Sequence, residues 1–467
     1  MKQVQVGTSA SFDKLDYGVL AVVGFLITAI VLVILRGDRV GLTIQRSTPN
    51  DLASAQSIIQ VTFDQNLDPA SVENRIRFDP PVEGEISVNN NQLQFRPNQP
   101  LQIGQTYTVQ VEAGIQSSSG RALLSTQAWQ FRVRSPQVIY LGPVDNPIQN
   151  LFMVDPDSPD LPARQLTLSE RGVLSYDVMP DGSRIAYAEL GEQRNASLFV
   201  YDLRTNQNTL LLDCPTAACT TPAWRPDGTL VAYERSELNL GTGAGPGSPR
   251  IWLLDTTNGT TRQLFNDNQR LGYSPRWSPD GKILASYDAN ALAIVLYNFE
   301  TGTEQAIRTP QGEVGHFSPD GRWLFFPKIL EQADGRFVAH YTLADLTSPN
   351  LVQRDLIPDD DPNNDVELAW MPDSKSLIVT RRPPTITTRQ GAQLHLVNIE
   401  TNESIPLVTD DEYSNGQVSV RPDGEVILFQ RFALGRAGAR PEVWIYHMQS
   451  GTKTLVAANA TLPRWLP

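Results

Sequence analysis

The chain has 467 residues, of which 40% are hydrophobic and 19% charged, and its formal net charge is -13. This composition is typical of a largely soluble protein with two or more domains, and it excludes a polytopic membrane protein and a disordered chain. The acidic balance argues against nucleic-acid binding, which needs a surplus of Lys and Arg on one face. We therefore expect no nucleic-acid partner.

One strongly apolar stretch lies near the N-terminus, between Asp16 and Arg36. At ~1.5 Å rise per residue it is long enough to cross ~30 Å of hydrocarbon, so we predict a transmembrane helix over residues 17–36. A cleaved signal peptide is the alternative, although its apolar core would be shorter. Basic residues flank the stretch on both sides, so the positive-inside rule leaves the orientation open.

The next segment alternates apolar and polar residues at period two, as in "IIQVTF", "QLQF", "YTVQV" and "WQFRV". Such alternation predicts half-buried strands, and the Pro-, Asn- and Gly-containing breaks between them predict a small β-sandwich. The segments "VTFDQNLDPASV" and "LQFRPNQPLQIGQTYTVQVEAGIQSSSGRAL" resemble the bacterial Ig-like domain of surface-layer and other secreted bacterial proteins. The resemblance implies a spacer or adhesion module outside the cytoplasm.

From Gln137 onward a Pro-Asp-Gly turn recurs after an aromatic or apolar strand. The copies are Pro180-Asp181-Gly182, Pro226-Asp227-Gly228, Pro279-Asp280-Gly281, Pro319-Asp320-Gly321, Pro422-Asp423-Gly424 and the variant Pro372-Asp373-Ser374. Intervals of roughly 40 to 53 residues are typical of propeller blades. Proline presets φ, aspartate accepts backbone hydrogen bonds and glycine tolerates positive φ, so each copy predicts a tight turn between antiparallel strands.

The two ends of this region complement each other. "VIYLG", "LFMVD" and "RQLT" read as the second, third and fourth strands of a blade that has no first strand ahead of them. The terminal "TLPRWLP" repeats "YSPRWSP" around Trp277, so Leu462 to Leu466 can supply the missing strand. We therefore predict seven blades closed by a shared sheet, which removes exposed strand edges.

These repeats resemble the TolB-type propeller, a relative of WD-repeat propellers. The resemblance implies an extracytoplasmic scaffold for protein or peptide contacts, without a defined ligand. The family includes propellers attached to peptidases, but the chain has no G-x-S-x-G nucleophile turn. We therefore expect a binding protein without enzymatic activity, cofactor or metal, with no catalytic residues.

Long loops on one propeller face carry the candidate ligand contacts, because binding residues usually reside on such loops. Arginine forks suit carboxylates, so these loops predict an anionic glycan or acidic peptide as ligand, with a solvated and internally paired rim as the alternative. The six arginines are Arg381, Arg382, Arg389, Arg431, Arg436 and Arg440.

Three smaller features remain open. Cys214 and Cys219 can form a loop-closing disulfide or stay free thiols. The acidic loop from Asp359 to Asp365 can bind calcium or remain a solvated loop. His316 lies on a first strand, which lines the central channel, and a structural role is the alternative to a catalytic one.

The predicted fold is all-β: a seven-bladed β-propeller plus an Ig-like β-sandwich, with one N-terminal transmembrane helix. We interpret the chain as a single-pass cell-membrane protein with extracytoplasmic C-terminal domains that binds a protein, a peptide or a cell-envelope polymer. A carbohydrate-binding or carbohydrate-active propeller is the alternative. The predicted segments are a tail (1–16), the helix (17–36), a linker (37–47), the sandwich (48–135) and the propeller (136–467).

Overall fold

The computed structural model describes residues 18, 21–28, 41–239, 245–267, 269–384 and 390–467. Residues 21–28 are helical, and no helix within these ranges is both long and apolar enough to cross a membrane. The transmembrane helix predicted over residues 17–36 falls mostly outside the described part of the chain. Apart from a short 3-10 turn at Pro69–Ser71, the remaining regular structure is β-strand, which confirms the all-β prediction.

The first eight strands form two four-stranded sheets, with orders β1-β3-β6-β5 and β2-β8-β7-β4. Strand β3 shows the alternation that the sequence predicted, because its first, third and fifth side chains are buried and the two between them are half-buried. The strands are β1 (Ile44–Thr48), β2 (Leu52–Ala53), β3 (Ile59–Phe63), β4 (Ile76–Asp79), β5 (Gly84–Asn89), β6 (Gln92–Pro97), β7 (Thr106–Val111) and β8 (Gln127–Val133).

The later strands pair in antiparallel groups of four. The first group is β9 (Gln137–Gly142), β10 (Asn150–Val154), β11 (Arg164–Gln165) and β36 (Thr461–Leu466). The second is β12 (Val173–Val178), β13 (Arg184–Leu190), β14 (Ala196–Asp202) and β15 (Gln207–Leu212). The third is β16 (Ala217–Trp224), β17 (Leu230–Glu237), β18 (Arg250–Asp255) and β19 (Thr261–Gln263), joined to the second by one parallel bridge.

The remaining groups follow the same order along the chain. The fourth is β20 (Tyr273–Trp277), β21 (Ile283–Asp288), β22 (Ala293–Asn298) and β23 (Glu304–Arg308). The fifth is β24 (His316–Phe317), β25 (Trp323–Glu331), β26 (Phe337–Asp345) and β27 (Gln353–Asp355). The sixth is β28 (Asn364–Trp370), β29 (Ser376–Arg382), β30 (Gln393–Asn398) and β31 (Ser404–Val408). The seventh is β32 (Tyr413–Val420), β33 (Val426–Ala433), β34 (Glu442–His447) and β35 (Lys453–Ala458).

The Pro-Asp-Gly turns behave as their residues require. Glycine adopts positive φ in each, for example 67° at Gly182 and 72° at Gly281. The aspartate accepts a hydrogen bond from the backbone N–H two residues later, at 2.8 Å from Ser183 to Asp181 and 3.1 Å from Lys282 to Asp280. Each turn thus joins the first and second strands of its group.

The hydrophobic core of this region lies between neighbouring sheets. Each cluster of buried side chains combines residues from two successive groups, from the first and second groups around to the seventh and first. The last pairing depends on β36, which is hydrogen-bonded to β9. Each sheet packs against a neighbouring sheet on both of its faces. Its strands are therefore apolar on both sides.

Candidate functional site

The first strands β12, β16 and β20 contact one another in succession, as do β28, β32, β36 and β12. Four of them carry a register irregularity together with one residue in the left-handed conformation. These residues are Thr221, Ser274, Gln417 and Leu462, with φ between 49° and 51°. Such bulges leave a backbone N–H outside the strand ladder.

Side chains from the preceding group hold three of these bulges. The Ser274 N–H donates to Glu234 Oε1 at 2.7 Å, and the Thr221 N–H donates to Ser175 Oγ at 2.9 Å. The Gln417 N–H donates to Glu367, whose other oxygen accepts from the Gln417 amide at 2.9 Å. The bulges are thus fixed by contacts between strands that are about 40 to 50 residues apart in sequence.

A cavity of about 170 Å³ opens beside these bulges. Its walls come from the first strands of five groups: β12, β16, β20, β32 and β36. Two arginines, one aspartate and several hydroxyl-bearing side chains face it, alongside proline and leucine. The cavity therefore combines apolar walls with a few convergent polar groups, which is typical of a ligand site.

One arginine of the cavity is held firmly by its neighbours. Arg464 Nη1 donates to Asp177 Oδ1 at 2.9 Å, and the Arg464 guanidinium lies 5.6 Å from the centre of the Tyr176 ring. The other oxygen of Asp177 accepts from the Trp224 N–H at 2.8 Å. Burial raises the pKa of Asp177, while Arg464 and the Trp224 N–H act in the opposite direction.

Arg276 stands in the same cavity without such support. Across the described ranges of the chain, its side chain forms no ion pair, hydrogen bond or cation–π contact. Burial, and then the nearby charge of Arg464, lower the pKa of Arg276 to about 10, against the opposing influence of Asp177 and Glu313. The guanidinium therefore remains charged at neutral pH and keeps its donors available.

His316 and two glutamates add to the electrostatic environment of the cavity. Burial, together with the charges of Arg276 and Arg464, holds the pKa of His316 well below its usual range, so the imidazole is neutral at pH 7. Burial also raises the pKa of Glu313, against the opposing charge of Arg276, and burial raises the pKa of Glu367, to which the charge of Glu313 adds. Charged groups that are far apart in sequence thus influence one another's pKa in and around the cavity.

Most of the loop arginines predicted as ligand contacts are paired with acids in the structure. Arg381 pairs with Asp365, at 2.6 and 3.0 Å, in a nearly enclosed contact. Arg431 pairs with Asp410 and lies 3.7 Å from the centre of the Tyr413 ring. Arg436 pairs with Glu412 at 3.0 Å, and Arg440 pairs with Asp145 at 3.8 Å.

Arg382 is exposed on β29, and Arg389 lies outside the described residues. Within the described loops, Arg431 and Arg436 come together beside the Tyr413 ring, at 3.7 and 5.7 Å from its centre, and both are paired with acids. The acidic loop is likewise occupied by internal contacts, since Asp359 pairs with Lys328 at 2.8 Å and Asp365 with Arg381. In the part of the chain that is described, no three carboxylate, histidine or cysteine side chains are grouped for a metal.

Cys214 and Cys219 are joined by a disulfide and are both buried. The bond closes the connection between β15 and β16. Asn195 supports this connection, because its side-chain amide donates to the Cys214 carbonyl at 3.1 Å.

Sequence reasoning missed Arg276 and Arg464, although a signal was present. Both precede tryptophan in the related segments "YSPRWSP" and "TLPRWLP". Successive side chains of a strand point to opposite faces, so the arginine and the tryptophan of each pair had to face different surroundings. The acid that holds Arg464 could not be found this way, because it belongs to another group of strands.

These features define the class of protein: an Ig-like domain followed by a β-propeller. Residues 38–133 match the family described as Bacterial Ig-like domain (Big_5), which confirms the predicted domain type. In the propeller region, the chain has the fold of an oligogalacturonate lyase solved with manganese. The two are 18% identical, with a TM-score of 0.50, and the match covers 68% of this chain and 85% of the lyase.

Two further similarities concern named bacterial proteins. The chain is 27% identical over 215 residues to the "Uncharacterized peptidase YuxL" of Bacillus subtilis (strain 168), covering 45% of this chain and 29% of that protein. It is also similar to the structure of TolB from Acinetobacter baumannii, at 16% identity and a TM-score of 0.43, covering 84% of this chain and 83% of TolB. The chain thus spans less than a third of the length of the peptidase-named relative.

One sequence expectation needs correction. The chain was expected to have no enzymatic activity, and the similarity to a protein named as a peptidase and to a lyase structure contradicts this. The expectation relied on the absence of a nucleophile motif. Propellers assemble functional groups from several blades, so the absence of one local motif was weak grounds for it.

Proposed function

We propose that this chain is a seven-bladed propeller protein, held at the outer face of a bacterial membrane, whose channel mouth binds a peptide or a segment of another protein. The observation that carries the proposal is Arg276, a charged and unpaired side chain in a cavity at the meeting point of the first strands. The other features of the cavity support it in turn.

Electrostatics favour the channel over the rim as the binding site. The described rim arginines Arg381, Arg431 and Arg436 already satisfy carboxylates of the same chain. A charge in a cleft with low-dielectric walls acts more strongly on a ligand than one on an open surface. A ligand that enters the channel therefore gains more from Arg276 than from the paired rim residues.

A peptide suits the lining of the cavity. Leu174, Pro222 and Pro275 supply apolar contact, while Ser175 and Ser274 bring hydroxyl groups beside them. This mixture matches the alternation of apolar side chains and polar amides in a peptide. The similarity to a protein named as a peptidase supports the same ligand class.

The location follows from two features of the sequence and one of the structure. Residues 17–36 contain the apolar stretch that can anchor the chain, and the Ig-like domain belongs to a type that resembles secreted modules. The Cys214–Cys219 disulfide is the kind of bond that persists in oxidising compartments. Together they support an extracytoplasmic propeller.

Photocrosslinking of the full-length chain tests the peptide proposal. A photoreactive amino acid replaces Leu174, which lines the cavity and is 44% exposed, or Leu455 on β35, which is 46% exposed and serves as the matched control. The probe is a pool of random octapeptides, and adducts are identified by mass spectrometry. We expect peptide adducts at position 174 and not at position 455.

Two outcomes would count against the proposal. Equal labelling at both positions would mean that peptides attach without a site, and no labelling at position 174 would mean that the channel does not take them. A third outcome would favour the carbohydrate alternative. In that case, labelling at position 174 does not saturate with rising peptide concentration, and an added oligogalacturonide abolishes it.

A further inference from the structure

Arg276 and Arg464 occupy equivalent positions on first strands but differ in their surroundings. Arg464 has a carboxylate partner in Asp177 and an aromatic neighbour in Tyr176. Within the described residues Arg276 has neither, and its nearest acidic influences, Asp177 and Glu313, act without forming an ion pair with it. Arg464 is therefore held by contacts within the protein, whereas the guanidinium of Arg276 is available to bind a ligand.

No acid of the described residues forms an ion pair with Arg276, so a ligand with one negative charge can pair with it. The titratable and charged groups that act on it are Arg464, Asp177 and Glu313, and it acts in turn on His316. Asp177 is already engaged by Arg464, and His316 is neutral at pH 7. A partly dehydrated cation without a partner is unfavourable, and a carboxylate relieves this by two parallel N–H···O bonds.

The size of the cavity limits what can enter it. Its volume of about 170 Å³ is close to that of cavities of ~150 Å³ that hold one benzene-sized molecule. A single carboxylate group with its nearest atoms fits such a space, whereas a folded domain does not.

From these observations we infer that Arg276 binds one carboxylate group of a peptide, supplied either by its C-terminus or by an acidic side chain. Arg464 and Asp177 pair with each other, so Asp177 is not an ion-pair partner of Arg276. This inference rests on the proposed function, because it names the chemical group that the channel recognises. Capture of a C-terminal carboxylate and recognition of acidic motifs by arginines are both known modes of peptide recognition.

Three short peptides separate the possible sources of the carboxylate. N-acetyl-trialanine with a free C-terminus carries a terminal carboxylate, its amide carries none, and N-acetyl-Ala-Glu-Ala amide carries one on a side chain. Binding to the full-length chain is measured by calorimetric titration. We expect one or both acids to bind at least ~10-fold more tightly than the neutral amide.

Variants connect this preference to one side chain. Arg276→Gln should abolish the ~10-fold preference, and Arg276→Lys should keep part of it, since lysine offers a charge without the planar fork. Arg436→Gln is the matched control on the rim, where Arg436 pairs with Glu412, and should leave the preference unchanged. The melting temperature of Arg276→Gln should equal or exceed that of the wild type, because the substitution removes an unpaired, partly dehydrated charge.

The outcomes separate the two proposals. Equal binding of all three peptides, or an unchanged preference in Arg276→Gln, would overturn the carboxylate inference and leave peptide binding by the channel intact. If none of the three peptides binds and position 174 is not labelled by the octapeptide pool, both proposals fail.

Discussion

Arg381 and Asp365 form a nearly enclosed ion pair, with 12% and 1% of their side chains exposed. Arg436 and Glu412 form a pair of the same chemistry that is 59% and 71% exposed. The sequence treats the two arginines alike, since both lie in polar segments next to the same kind of strand. Their energetic roles differ because a charge is costly only where water cannot reach it.

Removing Arg381 should therefore destabilise the propeller strongly. Arg381→Ala leaves the Asp365 carboxylate buried without a partner, which costs about 3–5 kcal/mol of the free energy of unfolding. Arg436→Ala, the exposed counterpart, should cost less than ~1 kcal/mol. Urea unfolding of both variants measures the difference, and similar losses in the two would show that the enclosure of the Arg381 pair does not matter.

His316 should make the stability of the propeller depend on pH. Its pKa in the folded chain lies well below 6.5, so well above pH 6.5 it is neutral both folded and unfolded and its contribution is constant. As the pH falls below 6.5, the unfolded chain binds a proton that the folded chain excludes. This residue then removes about 1.4 kcal/mol of stability per pH unit.

The comparison of wild type with His316→Gln isolates this effect. Between pH 7.5 and pH 5.5 the variant should lose less unfolding free energy than the wild type, by about 1 kcal/mol. Parallel losses in the two proteins would contradict the lowered pKa of His316.

At the scale of single elements, β36 completes the first group of strands from the other end of the chain. Its successive side chains face opposite sides, so Trp465 packs with strands of the seventh group and Leu466 with strands of the first and second. Arg134 donates to the Pro467 carbonyl at 2.6 Å and to the Gly182 carbonyl at 2.7 Å. One strand therefore links three neighbouring groups.

Substitution of Leu466 should weaken this closure. Leu466 is fully buried, so Leu466→Ala is expected to cost about 2–5 kcal/mol and to promote aggregation through the edge of β9. Leu455→Ala, on exposed β35, should change stability by less than ~0.5 kcal/mol. Thermal unfolding and light scattering measure both effects, and equal behaviour of the two variants would speak against a closing role for β36.

The whole molecule combines an acidic net charge of -13 with a channel that holds two arginines. The two arginines act on a ligand locally, because they lie among apolar walls where screening by salt is weak. The acidic residues on the rest of the surface therefore have little influence there. Net charge therefore describes the solubility of this protein and says little about its preferred ligand.

Membrane attachment is the prediction that belongs to the whole chain. The full-length protein should sediment with membranes and resist a carbonate wash, and deletion of residues 17–36 should release it, because that stretch supplies the apolar length for an anchor. Protease added to intact cells should cut the C-terminal domains. A full-length chain found in the soluble fraction, or one unaffected by the deletion, would refute the anchor.

Local patterns in the sequence were sufficient for the all-β class, the Ig-like domain and the Pro-Asp-Gly turns. Each depends on interactions among neighbouring residues: the period-two alternation of a strand, the positive φ of Gly182 and the hydrogen bond from Ser183 to Asp181. These patterns involve residues only a few positions apart, so they can be recognised without knowing which distant strands pack together.

Only the tertiary structure decided which arginines are free and which are paired. Asp177 and Arg464 are 287 positions apart, and Arg276 joins them from a third group of strands. Spacing along the chain cannot show such a meeting, because residues of five different strands line the cavity. The partners of Arg381 and Arg431 lie nearer along the chain, 16 and 21 positions away, but only the fold shows that these acids come within contact distance. The sequence alone therefore assigned ligand contacts to two residues whose charges are already paired in the structure.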